Sequence, residues 1–112
     1  MREGKLKPIA FLGDSLARLR DLPEGARHKA GYQLYRVQGG LEPDDWKPLR
    51  EIGKGVREIR VRHGSGAFRV IYLATLPDAV YVLHVFQKKT RTTSRRDLEL
   101  AARRMRELVR RR

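Results

Sequence analysis

The 112 residues contain no cysteine. That excludes disulfide frameworks and thiolate metal sites. Histidine is scarce as well: His28, His63 and His84 are the only three. None is spaced from a carboxylate as metal ligands are, so neither a metal nor any other cofactor is expected. No apolar run approaches the roughly 20 residues of a membrane span. The N-terminal stretch MREGKLKPIAFLGDSL starts charged and has no apolar segment of signal-peptide length. The expectation is a soluble cytoplasmic protein. Acidic residues are also few. Thirteen Asp and Glu face 26 Lys and Arg, a formal net charge of +13.

An excess of that size calls for a polyanionic partner. Nucleic acid fits best. An anionic membrane surface fits less well, because no segment is a long apolar helix with a basic face. An acidic protein partner is compatible with nucleic acid as a second ligand. A hydrophobic fraction of 40% supports one modest core. With no internal repeat and no dividing linker, residues 1–112 read as a single domain.

The pattern of elements is α+β. Lys7 to Leu12 reads as a short strand ended by Gly13. Asp14 or Ser15 can cap a helix that buries Leu16 and Leu19. Pro23 suits the first turn of a second helix, whose stripe is Ala26, Ala30, Leu34 and Val37, ended by Gly39-Gly40. Leu41 to Lys54 reads as an irregular connector that packs through Trp46, Leu49 and Ile52. Three strands then follow as an antiparallel meander: Val56–Arg62, Ala67–Ala74 and Ala79–Lys88. Their turns are His63–Gly66 and Leu76–Asp78. Strict alternation places Glu58, Arg60 and Arg62 on one face of the first, opposite Arg57, Ile59 and Val61. It groups Ala67, Arg69, Ile71 and Leu73 on the second, and Val80, Val82, His84, Phe86 and Lys88 on the third. Phe68, Tyr72 and Tyr81 read as core. Ser94 with Asp97 forms a capping box for a last helix. Its stripe is Leu98, Ala101 or Ala102, Met105, Leu108 and Val109, and its opposite face is rich in arginine.

Two segments in this order carry a resemblance. They are VREIRVRHGSGAFRVIY, and VYVLHVFQKKT followed by the Ala- and Arg-rich RTTSRRDLELAARRM. Together they closely resemble the RelE/ParE superfamily of bacterial toxins, and within it the phage-derived HigB-like branch. The first carries Val61-Arg62, a polar turn, Phe68, Arg69 and Val70-Ile71-Tyr72. The second carries His84-Val85-Phe86-Gln87-Lys88-Lys89-Thr90, of the form HxFxKKT. The resemblance covers residues 7 to 109 or so. It implies a RelE-like fold: N-terminal strand, two helices, antiparallel three-stranded meander, C-terminal helix. It also implies the toxin of a type II toxin–antitoxin system, a ribosome-dependent mRNA endonuclease held in check by a cognate antitoxin of helix-turn-helix type. ParE members share the fold and poison DNA gyrase. A non-enzymatic gyrase inhibitor, or a catalytically silent nucleic-acid-binding protein, is therefore the alternative.

RNA is cleaved without metal when its 2′-hydroxyl attacks the adjacent phosphate. That step needs a proton acceptor, positive charge on the phosphorane and a donor for the leaving 5′-oxygen. By resemblance Arg69 faces the scissile phosphate, and Lys88 or Lys89 acts as proton donor or cation. Arg60 and Arg62 bind substrate phosphates or rRNA, with Arg57 and His63 on the same basic strand and turn. The family's tyrosine at the start of the last helix is missing, since Thr92-Thr93-Ser94-Arg95 stands there. His63 and His84 are the alternatives for general base, because imidazole titrates near neutral pH. The plain readings are a polar turn residue for His63 and a buried structural histidine for His84. For Arg60 and Arg62 the plain reading is a solvated face shared with Glu58.

Overall fold

A computed structural model describes residues 5–112; the charged start Met1 to Gly4 lies outside the described residues. The order of elements is β1 (Ile9–Phe11), α1 (Ser15–Arg20), α2 (Glu24–Gln38), β2 (Trp46–Pro48), β3 (Val56–His63), β4 (Gly66–Leu73), β5 (Val80–Lys88) and α3 (Arg95–Arg111). One five-stranded sheet has the order β1-β5-β4-β3-β2. Four strands run antiparallel to their neighbours, and β1 joins the edge parallel to β5. The fold is α+β with a mixed sheet, larger than the expected meander. The added β2 occupies the connector. It is only three residues long and ends in Pro48. A proline is tolerated there because β2 is an edge strand, and so short a strand leaves no alternation to read.

The sheet separates two apolar layers. The expected stripe Ala26, Ala30, Leu34 and Val37 of α2 packs with Leu19 of α1 against Ile59, Val61, Phe68, Val70, Tyr72, Val80, Val82 and Val85. On the other side Ala101 and Leu108 of α3 cover Val56, Ile71, Leu73, Tyr81, Leu83 and Phe86. Leu49 joins this second layer as a buried residue, and Ile52 packs partly buried against it. Each layer removes several large side chains from water, at roughly 1.5–3 kcal/mol for each one fully buried.

The strands of the third expected group do not alternate throughout. Ile71 pairs with His84 but Tyr72 pairs with Val82, so Leu83 is an extra residue in β5. This β-bulge reverses the faces of the strand beyond it. Val80 and Val82 face α1 and α2, whereas His84, Phe86 and Lys88 face the α3 side. Strict alternation had put all five together; the bulge corrects that.

Arg104 of α3 anchors the bulge. Its guanidinium donates to the Leu83 carbonyl at 2.9 Å and to Asp14 Oδ1 at 2.6 Å. The approach is possible because residue 13 is glycine: φ is +56°, and a Cβ there would overlap the Arg104 guanidinium. Arg104 and Arg18 hold the Asp14 carboxyl down at about 2.

Candidate nucleic-acid interface

Cross-strand register arranges the α3 side of the sheet in rows. From the open end inward they are Arg62–Ala67–Lys88, Arg60–Arg69–Phe86, Glu58–Ile71–His84 and Val56–Leu73–Tyr81. The last helix begins over the third row. Ser94 Oγ accepts from the Asp97 amide at 3.1 Å, the expected cap. Asp97 Oδ1 meets His84 Nε2 at 2.7 Å, and Thr93 Oγ1 donates to Glu58 Oε2 at 2.7 Å. From there α3 runs over the inner rows, and the two outer rows lie beyond it. They carry Arg62, which is exposed, Arg60 and Lys88, which are half-buried, and Arg69, which is buried.

At the base of this cluster lies a carboxylate. Glu58 is 1% exposed. Its Oε1 lies 3.7 Å from Arg69 Nε and 3.8 Å from Lys47 Nζ of β2. Arg69 is itself only 5% exposed, and its Nη1 donates to the Phe68 carbonyl at 3.0 Å. Burial lowers the Arg69 pKa, Glu58 opposes that, and Arg60 and Arg62 add to it. A guanidinium stays charged all the same. Lys88 sits nearer the surface. Burial first, and then the Arg69 charge, push its ammonium below the ordinary lysine value. The result is a compact cationic face over one neutralising carboxylate. It can hold a phosphodiester, stabilise added negative charge and donate a proton from Lys88.

Arg60, Arg62, Arg69 and Lys88 thus come together as the sequence suggested. Arg60 also pairs with Asp45 at 3.8 Å. Lys89 is exposed just past the end of β5. The remaining three residues lie elsewhere. Arg57 projects from the opposite face, with its guanidinium 3.8 Å over the Trp46 ring and 3.4 Å from Glu42 Oε2. His63 shares that side and packs its ring against Gly25 of α2. His84 does face α3, but it is completely buried and stacked on Phe86 at 4.9 Å. Burial lowers its pKa against the pull of Asp97, which favours the neutral imidazole. It serves as a strut between β5 and α3.

Glu58, Lys47 and Thr93 were not singled out by the sequence. The signal for Glu58 was its setting: one carboxylate in a strand whose neighbours are Arg57, Arg60 and Arg62. A carboxylate so placed is more easily buried by pairing than left as one solvated charge among many. Lys47 gave no signal, because its strand was not recognised.

Among the described residues no helix is long and apolar enough to cross a membrane. The chain matches no curated protein. The model of the family described as phage-derived protein Gp49-like (DUF891) matches residues 17–106. That span runs from α1 to the last turns of α3 and includes every residue of the cationic face. The chain belongs to this Gp49-like, phage-derived family of the RelE/toxin-like group.

Proposed function

We propose that this protein is the toxin of a type II toxin–antitoxin pair, of the HigB-like kind, and a ribosome-dependent endoribonuclease. The observation that carries the reading is the cluster in which Arg60, Arg62 and Lys88 reach the surface around Arg69, itself buried beside Glu58. In this reading Arg60 and Arg62 grip the RNA backbone, with Lys89 on the rim. Arg69, fixed from below by Glu58, neutralises the phosphorane formed when the 2′-oxygen attacks. Lys88 gives its proton to the leaving 5′-oxygen, a step eased by its depressed pKa. His63 lies on the α2 side and His84 is buried beneath α3, so neither supplies this cluster with a base. The ribosome therefore holds the mRNA in line and provides the path for the 2′ proton. Such positioning is worth roughly 7–11 kcal/mol at best. A helix-turn-helix antitoxin with an acidic segment would neutralise the face.

The same placement of the histidines favours the second reading, a non-enzymatic gyrase poison or a silent nucleic-acid binder. Induced expression followed by mapping of mRNA 5′ ends decides between them. The expected result is growth arrest within minutes and cuts in the translated frame of ribosome-bound mRNA, with free RNA cut poorly. Arg69→Ala should abolish arrest in protein that circular dichroism shows still folded, although less stable because Glu58 loses its buried partner. DNA breaks with intact mRNA would establish the gyrase reading instead.

A further inference from the structure

Beside the cationic face lies a groove of which the mechanism above uses only Arg60 and Arg62. It runs between α2 and the edge of β3, with a volume of about 450 Å³, and is lined by His28, Lys29, Tyr32, Gln33, Asp44 and the β3 segment Arg60 to Arg62. Its floor is the sheet edge. The short strand β2 pairs with β3 only as far as Ile59, and the Asp45 carbonyl then takes the Arg60 amide at 2.8 Å. Beyond that point Lys29 of α2 reaches across, its Nζ donating to the Arg62 carbonyl at 2.9 Å. Tyr32 stands on the α2 wall and is 55% exposed.

The charges of the groove are asymmetric. Lys29, Arg60 and Arg62 share its lining with one carboxylate, Asp44, and Arg60 also pairs with Asp45 at 3.8 Å beside it. Asp44 is engaged within the wall: Gln33 Nε2 donates to its Oδ2 at 2.7 Å, its own amide donates to Gln33 Oε1 at 2.8 Å, and Arg36 lies 3.7 Å from Oδ1. Arg62 and Lys29 thus leave positive charge beside the half-exposed ring of Tyr32. Cations that track a backbone, with a ring on which a base stacks, are the two parts of a single-strand nucleic-acid site. Arg60 and Arg62 belong to this groove and also to the outer rows of the cationic face, so the two are continuous.

We infer that this groove is an RNA subsite flanking the scissile phosphate, in which a nucleobase stacks on Tyr32 while Arg62 and Arg60 hold the phosphates on either side. The inference rests on the nuclease reading and adds to it a residue that grips the strand. A ring accepts any base face, so the subsite gives grip with little sequence preference.

The test uses the full-length protein and a short single-stranded RNA carrying 5-iodouridine, at physiological salt. Irradiation should cross-link the RNA to the α2 peptide that contains Tyr32. Tyr32→Ala should weaken RNA binding roughly 5- to 150-fold, the fold-change equivalent of losing one stacked base, whereas Tyr32→Phe should bind within about twofold of wild type because the ring is kept. Cross-links confined to other peptides, or equal RNA binding by Tyr32→Ala, overturn the subsite while the nuclease reading stands. Tyr32→Ala that binds RNA normally but loses affinity for an acidic decapeptide makes the groove a peptide site and also overturns it. Wild-type protein that binds neither free nor ribosome-bound RNA removes the nuclease reading itself.

Discussion

At the scale of single residues, Glu58 organises the cationic face more than any of the cations does. It lies on the α3 side of β3, in the same row as Ile71 and His84. Its two oxygens meet Thr93 at 2.7 Å and the Arg69 guanidinium at 3.7 Å. Taking Arg69 out of water is costly unless a counter-charge is close. Removing Glu58 would leave a buried guanidinium beneath Arg60, Arg62 and Lys88 with nothing to offset it. Glu58→Ala should therefore lower stability by roughly 3–5 kcal/mol, the usual cost of breaking a buried pair by deleting one partner. Glu58→Gln keeps an acceptor for Thr93 and should cost less. Urea denaturation of both variants checks the order. Equal, small losses would mean that the carboxylate charge is not what holds Arg69.

At the scale of elements, the bulge in β5 decides which side chains meet. Without Leu83 as an extra residue, Lys88 would project with Val82 toward α2, far from Arg69. The bulge is fastened by Arg104, which joins the Leu83 carbonyl to Asp14. That fastening depends on Gly13, whose left-handed φ and missing Cβ admit the guanidinium. Gly13→Ala should cost roughly 1–3 kcal/mol, since it combines an αL penalty with displacement of Arg104. Thermal unfolding would measure the loss, and an unchanged melting temperature would show that α3 is held on the sheet by its apolar face alone. The Asp14–Arg104 pair is half exposed on the aspartate side. Screening by water keeps its own share of that loss small.

At the scale of the whole molecule, a formal charge of +13 is concentrated most strongly on two surfaces. One is the face at the open end of the sheet; the other is the arginine-rich outer side of α3. Like charges at such density repel one another and destabilise the compact state. Salt shortens the range of that repulsion, to about 10 Å at 0.1 M and 3 Å at 1 M. The free protein should therefore unfold at a higher temperature as sodium chloride rises from about 0.01 M to 0.5 M. Its affinity for RNA should fall steeply over the same range as released counterions lose their advantage. Scanning calorimetry and a salt titration of RNA binding give the two slopes. A melting temperature that fell with salt would place more stabilisation in exposed ion pairs such as Arg18–Asp14 than in relief of repulsion.

By itself the sequence determined the composition-level character of this protein and most of its elements. The α2 stripe, the hairpin around Gly64 and the cap at Ser94 are local features, set by residues a few positions apart, and local spacing is what a sequence displays. The identity of the cations on β3 and β4 was legible for the same reason: alternation within one strand places Arg60, Arg62 and Arg69. Only the tertiary structure decided the rest. The parallel pairing of β1, the edge strand β2 and the bulge at Leu83 arise from contacts between segments far apart in the chain, and no local periodicity records them. Those contacts bring Lys88 to Arg69, whereas the turn of Arg57 to the other face was already set by alternation within β3. They bury His84 against Asp97 and sink Glu58 beneath the cations. They also set Tyr32, an ordinary exposed residue of a helix when read in sequence, on the wall of a groove that runs into the cationic face.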